Sequence, residues 1–214
     1  MKNIVTGAVV GAMLVAGSAV ADMGDVKPYV GVDYYQAFMK AKNSVAQNAF
    51  PKSYPGASVY AGVKFMENFG AELGADFSKN KSKTATIPAG TLPGTAAAAT
   101  SVKNEVKRNG GHLDLVGFWP LNDCFNLIGS LGAGMAKAKI TATPNVGSFS
   151  VSSKNKTFAR IGVGASYMLT DMFGLRAKLN WEGTSALKAK FNNGTEVKPF
   201  KDTTSFTVGA FAQF

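Results

Sequence analysis

With 214 residues, 24 glycines, one cysteine and one histidine, the chain is long enough for one domain, and its composition argues against a disulfide framework and a histidine-rich metal protein. Its 23 Lys and Arg outnumber 13 Asp and Glu, for a formal net charge of +10, a field that favours anionic partners. The chain opens with Met1-Lys2-Asn3, an apolar run from Ile4 to Val15, and small residues from Ala16 to Ala21. Ala19-Val20-Ala21 has the small-x-small pattern of a signal-peptidase site, so residues 1–21 read as a signal peptide cleaved after Ala21, and residues 22–214 as one domain. The apolar run is short for a helical span of about 20 residues, and no later stretch can span as a helix. A membrane location therefore rests on strands, because only helices and closed barrels satisfy every backbone group in hydrocarbon.

Period-two alternation predicts eight strands, at 27–38, 57–66, 69–78, 110–120, 125–136, 157–169, 173–184 and 204–214. In the second, Val59, Ala61, Val63 and Phe65 oppose Tyr60, Gly62 and Lys64. In the third, Phe69, Ala71, Leu73, Ala75 and Phe77 oppose Gly70, Glu72, Gly74, Asp76 and Ser78. The sixth sets Ala159, Ile161, Val163, Ala165 and Tyr167 against Arg160, Gly162, Gly164 and Ser166. The seventh sets Phe173, Leu175, Ala177, Leu179 and Trp181 against Gly174, Arg176, Lys178, Asn180 and Glu182.

The connections decide between a soluble sandwich and a barrel. Three are short, Met66-Glu67-Asn68-Phe69, Leu121-Asn122-Asp123-Cys124-Phe125 and Leu169-Thr170-Asp171-Met172-Phe173, each with a turn-forming Asn or Asp between apolar residues. The other four, 39–56, 79–109, 137–156 and 185–203, are long and polar. Short turns at one end and long loops at the other are the asymmetry of a transmembrane barrel. The expected fold is an all-β, eight-stranded antiparallel up-and-down transmembrane β-barrel with both termini at the short-turn end. Phe65, Phe69, Trp119, Phe125, Tyr167, Phe173 and Phe214 fall at the short-turn ends of outward faces and predict an interfacial aromatic girdle.

Tyr29-Val30-Gly31-Val32, the run Leu169-Thr170-Asp171-Met172-Phe173-Gly174-Leu175-Arg176 and the last nine residues resemble the OmpA-type and opacity-type outer-membrane β-barrel family. The resemblance covers the whole mature chain. It implies a multi-pass protein of the bacterial outer membrane, with long loops extracellular and termini periplasmic. Phe206, Val208, Ala210, Ala212 and Phe214 resemble the signal read by the barrel-assembly machinery. Since the chain stops at Phe214, the expectation is a barrel domain alone, without the periplasmic peptidoglycan-binding domain of OmpA-type proteins. The second long loop, with Thr91-Leu92-Pro93-Gly94 and Ala96 to Ala99, is of low complexity.

Asp33, Lys64, Glu72, Asp76, Asp114, Arg160, Arg176, Lys178 and Glu182 are the predicted inward charges. In a lumen that side chains can fill, five acids and four bases are expected to form a plugging network, with Glu72 pairing Arg160, Arg176 or Lys178. The long connections carry 17 Lys and Arg against Glu105, Glu196 and Asp202, and 17 − 3 leaves +14 at that end. Lys79, Lys81, Lys83, Lys103, Lys107 and Arg108 flank the second loop and form a candidate rim for polyanions. Lipopolysaccharide and outer-membrane lipid are the nearest partners, host glycosaminoglycans or extracellular DNA further candidates, and sequence-specific nucleic acid is not expected.

His112-Leu113-Asp114 is the one segment offering an imidazole, and no serine lies within it, so no catalytic residue, metal or cofactor is assigned. Cys124 reads as a small buried thiol at a turn. The leading expectation is a non-enzymatic surface barrel, structural and adhesive or antigenic. A narrow porin-like channel is the alternative, followed by a lipid-modifying or proteolytic barrel enzyme.

Overall fold

The computed structural model describes residues 26–41, 51–87, 100–144, 149–152, 156–184, 189–190, 196–197 and 200–214. The expected signal peptide and the tip of the second loop lie outside these. The described strands are β1 Lys27–Ala41, β2 Ser53–Met66, β3 Phe69–Ser78, β4 Lys81–Ile87, β5 Thr100–Pro120, β6 Phe125–Pro144, β7 Phe149–Ser152, β8 Lys156–Met168, β9 Phe173–Thr184, β10 Ala189–Lys190, β11 Glu196–Val197 and β12 Phe200–Gln213. Eight of them, β1, β2, β3, β5, β6, β8, β9 and β12, pair antiparallel in that order. The last returns to the first through pairs running from Tyr29 with Gln213 to Ala41 with Phe200. The Phe214 N–H completes the seam by donating to the Pro28 carbonyl at 2.9 Å. A closed sheet leaves no unpaired edge in hydrocarbon.

Local chemistry sets the short turns. Asn122 Oδ1 accepts from the backbone N–H of Cys124 at 3.0 Å and of Phe125 at 2.8 Å, an Asx turn. Thr170 Oγ1 does the same for Met172 at 3.3 Å and Phe173 at 3.0 Å, so Thr170 rather than Asp171 organises that turn. Cys124 is exposed, which corrects the expectation of a buried thiol. The Asx turn uses its backbone, and the residue sits at the tip between two strands instead of on a packed face.

Alternation is realised as two solvents. Along β3 the inward residues Gly70, Glu72, Gly74, Asp76 and Ser78 are buried, while Phe69, Leu73 and Phe77 are exposed. Leu73, Leu115, Leu131 and Val163 are each 60% or more accessible, as suits residues that face lipid. Among the girdle residues, Phe65, Phe69, Trp119, Tyr167, Phe173 and Phe214 are exposed at the short-turn end. A second ring of exposed aromatics, Phe38, Phe77, Trp181 and Phe206, lies toward the long-loop end. From Phe173 to Trp181 is about 26 Å along the strand at about 3.3 Å per residue. A tilt of about 40° reduces this to about 20 Å, close to the ~25 Å apolar band of an outer-membrane barrel.

The structure departs from the sequence expectation above the barrel. Residues 79–109 are not simply a loop, because β4 pairs with the first part of β5 from Lys81 opposite Val106 to Ile87 opposite Thr100. The expected fourth strand begins ten residues earlier, at Thr100, and the fifth continues from Ala136 to Pro144, where β7 joins it. The last strand starts at Phe200 rather than 204. These stretches alternate Lys with Ser, Thr, Ala and Val. Their charge reads as loop, but β-branched residues on a two-faced ribbon suit strands even in water.

Candidate functional site

The lumen is built from residues that alternate in size around each rung. His112 lies in register between Gly74 on β3 and Gly134 on β6, and Asp114 lies between Glu72 and Gly132. A Cβ at Gly74 would run into the His112 ring, and one at Gly132 into the Asp114 carboxylate and the Leu113 carbonyl. The glycines leave the volume that the neighbouring strand's long side chain fills. The result is a continuous belt of buried charge across the lumen.

Arg176 binds Asp33 at 2.8 Å and Glu72 at 2.6 Å, and its Nε also donates to Asp33 at 3.0 Å. Lys178 Nζ lies 3.6 Å from Glu72 and 3.7 Å from Asp114. Arg160 stands 3.6 Å from both Asp114 and Asp76, and His112 Nδ1 is 3.4 Å from Asp76. On the rung above, Arg108 donates to Glu182 and to the Tyr35 hydroxyl. The expected Glu72 partners are thus Arg176 and Lys178, while Arg160 pairs with the two aspartates.

Eight of the nine predicted lumen charges enter this belt. Lys64 does not. It is half-buried at the short-turn mouth, with Nζ 5.2 Å from the Phe118 ring centroid, because its strand ends two residues later. Arg108 makes the opposite correction. Predicted on the solvated rim, it is 1% exposed, because β5 runs on through it and it shares the inward parity of His112 and Asp114. The belt therefore holds Asp33, Glu72, Asp76, Asp114 and Glu182 against Arg108, Arg160, Arg176 and Lys178, with His112 beside them.

Apolar groups close the belt on both sides. Tyr35, Ala37, Met39, Tyr54 and Val106 form a buried cluster toward the long-loop end. Toward the short-turn end Tyr29 meets Tyr60, Phe118 and Phe211 edge to face at centroid distances of 6.2, 6.3 and 6.4 Å. A small cavity remains on that side, lined by these rings with Lys64, Met168 and Arg176. Glu72, His112 and Asp114 bring ligand-type atoms within 4.8 Å of one another, but the cation already between the two carboxylates is Lys178. This donor set suits an internal ion network better than a divalent metal.

The predicted rim divides over the extension of the wall. Directly opposed residues of paired strands share a face. Lys81 and Lys83 are opposite Val106 and Asn104, on the side that continues the lumen face. Lys103 and Lys107 are exposed on the other side, with Lys103 bound to Glu105 at 3.0 Å. Lys79 is exposed at the link between β3 and β4. Two lysines outside the predicted set, Lys137 and Lys139 of β6, join Lys107 on the outward face, with Lys107 directly opposite Lys139.

The model of the outer membrane protein beta-barrel domain family matches residues 7–214. The chain belongs to this family. It is accordingly a protein of the bacterial outer membrane. No curated protein matches the sequence. Among solved structures, the barrel is similar to OprG from Pseudomonas aeruginosa, with a TM-score of 0.60 at 14% identity over 88% of this chain and 95% of that one. It is similar to Ail, the attachment invasion locus protein of Yersinia pestis, in complex with the heparin analogue sucrose octasulfate. That TM-score is 0.55 at 17% identity, over 88% and 99% of the two chains. A major outer membrane protein from Thermus thermophilus gives 0.58 at 13% identity, over 88% and 99%. At these identities the likeness is one of fold.

Proposed function

We propose that this outer-membrane barrel is a non-enzymatic surface protein that presents a basic extracellular collar to polyanions, with its termini in the periplasm. The observation that carries the proposal is the lysine-bearing sheet of β4, β5 and β6 standing beyond a filled lumen. Its charges gain from a polyanion because a bound anion offsets the positive potential of many lysines gathered at one end of the barrel. The heparin analogue bound by Ail supports the same chemistry for this fold. Lysine, a point charge, suits sulfated or phosphorylated polymers better than bidentate recognition of one group. Heparin, a soluble sulfated polyanion, is the ligand to test.

Purified barrels are expected to bind heparin at low salt and to release it as the screening length falls from about 10 Å at 0.1 M to about 3 Å at 1 M. The variant with Lys79, Lys81, Lys83 and Lys103 replaced by Gln should elute at lower salt with unchanged heat-modifiable gel migration. A wild-type protein that passes through a low-salt heparin column ends the proposal.

Two features support the non-enzymatic reading over the alternatives. His112, 3% exposed, lies among the belt charges, where a lipid or peptide substrate has no access. The belt and the apolar cluster above it also oppose the narrow channel, whose support is the cavity at the short-turn mouth. His112→Asn should leave the barrel folded and any surface phenotype intact. Loss of a lipid-modifying or proteolytic activity in a folded His112→Asn protein would make the barrel an enzyme.

Biogenesis completes the proposal. Phe206, Val208, Ala210 and Ala212 share the outward face of β12, the strand that closes on β1, and Phe214 follows directly at its end. That pattern is suited to capture by the barrel-assembly machinery before the seam forms.

A further inference from the structure

Lys107, Lys137 and Lys139 are all exposed, and all point outward from the wall. Lys107 is directly opposite Lys139 on β5 and β6, and Asn109 is directly opposite Lys137. Side chains so opposed have Cβ atoms about 5 Å apart, and diagonal neighbours lie about 7–8 Å apart. Three ammonium groups on long flexible stems can therefore converge on one point. A direct Lys–Lys pair is destabilising in a sheet, so the arrangement gains from a shared anion. Among the described residues of β5 and β6 the one outward carboxylate is Glu105, and it is held by Lys103 at 3.0 Å.

Depth in the membrane identifies the anion. Phe77, an exposed member of the upper aromatic ring, is directly opposite Asn109, so Phe77, Asn109 and Lys137 form one row across three strands. Lys107 and Lys139 stand one rung above. The next row toward the membrane centre is Ala75, Gly111 and Met135, where Ala75 and Gly111 leave a shallow strip on the lipid face beside the exposed Met135. Aromatic rings mark the level where hydrocarbon meets headgroups, so the trio sits at headgroup height with room beneath it for an acyl chain.

We propose that Lys107, Lys137 and Lys139 form an outward-facing site for the phosphate of an outer-leaflet glycolipid, the phosphorylated lipid portion of lipopolysaccharide. The site rests on the orientation proposed above, with long loops outside. It differs from the polyanion collar in binding a lipid that is already in the membrane. The glycolipid's phosphate bridges the three ammonium groups while an acyl chain lies over Ala75 and Gly111.

The test is a titration of the refolded full barrel in detergent with bisphosphorylated lipid A, read by native mass spectrometry, beside the same lipid stripped of both phosphates. The K107Q/K137Q/K139Q variant is expected to bind the bisphosphorylated lipid at least tenfold more weakly than wild type. Wild type should bind the phosphate-free lipid no better than the variant does. The K79Q/K81Q/K83Q/K103Q variant should keep wild-type lipid A affinity, even where it has lost heparin, which separates this site from the collar. Equal lipid A affinity for wild type and the triple variant overturns the proposal. So does equal affinity of wild type for the two lipids, an arm that needs no mutation, and so does a tenfold loss in the K79Q/K81Q/K83Q/K103Q protein.

Discussion

Arg176→Leu is expected to destabilise the barrel by about 3–5 kcal/mol, the cost of breaking a buried ion pair from one side. The guanidinium holds two carboxylates, Asp33 at 2.8 Å and Glu72 at 2.6 Å, and all three side chains are at most 7% exposed. Removing it leaves two anions in the lumen, with Lys178 at 3.6 Å and the Tyr29 hydroxyl at 3.4 Å still beside Glu72. Urea titration of the protein in lipid vesicles, followed by tryptophan fluorescence, measures the loss. The triple variant Arg176→Leu, Asp33→Asn, Glu72→Gln should recover much of it, because the uncompensated charge and not the missing contact is the larger cost. A single variant within about 1 kcal/mol of wild type would mean that the belt is not a coupled network.

The lipid face gives the second large effect. Ala177 and Val163 lie outward, Ala177 midway between Phe173 and Trp181 on β9, and lysine at either position should cost about 2–4 kcal/mol at the bilayer midplane. Ala212, opposite Phe173 in the short-turn girdle, should accept lysine at about 0–1 kcal/mol, since the penalty falls toward the interface. Equal costs at Ala177 and Ala212 in folding titrations would show that the membrane band is misplaced. Inward positions follow a different rule, as Asn180 and Ser166 show. Both are buried, and Asn180 Oδ1 and Ser130 Oγ both crowd the space over Gly162, so lysine at Asn180 meets packed side chains. Inward orientation predicts polarity but not space.

Much of this was legible in the primary sequence. Side chains alternate strictly along a strand, so two solvents write themselves as two interleaved residue sets, and those sets gave the faces of Glu72, Asp76, Arg160, Arg176 and Lys178. Short turns bearing Asn or Asp, set against long polar connections, gave the up-and-down order. What the sequence left open is long-range. Whether Glu72 meets Arg160 or Arg176 depends on strand register, which places residues 104 positions apart within 2.6 Å and follows from closure of the barrel as a whole. Where each strand stops was hidden as well. Charge made 100–109 read as loop, but pairing with β4 and β6 carries β5 through it, turning Arg108 into the lumen and aligning Lys107 with Lys139. Period-two patterning is local and survives in one chain of letters. Register and strand length are set by partners distant in sequence, and only the closed sheet decides them.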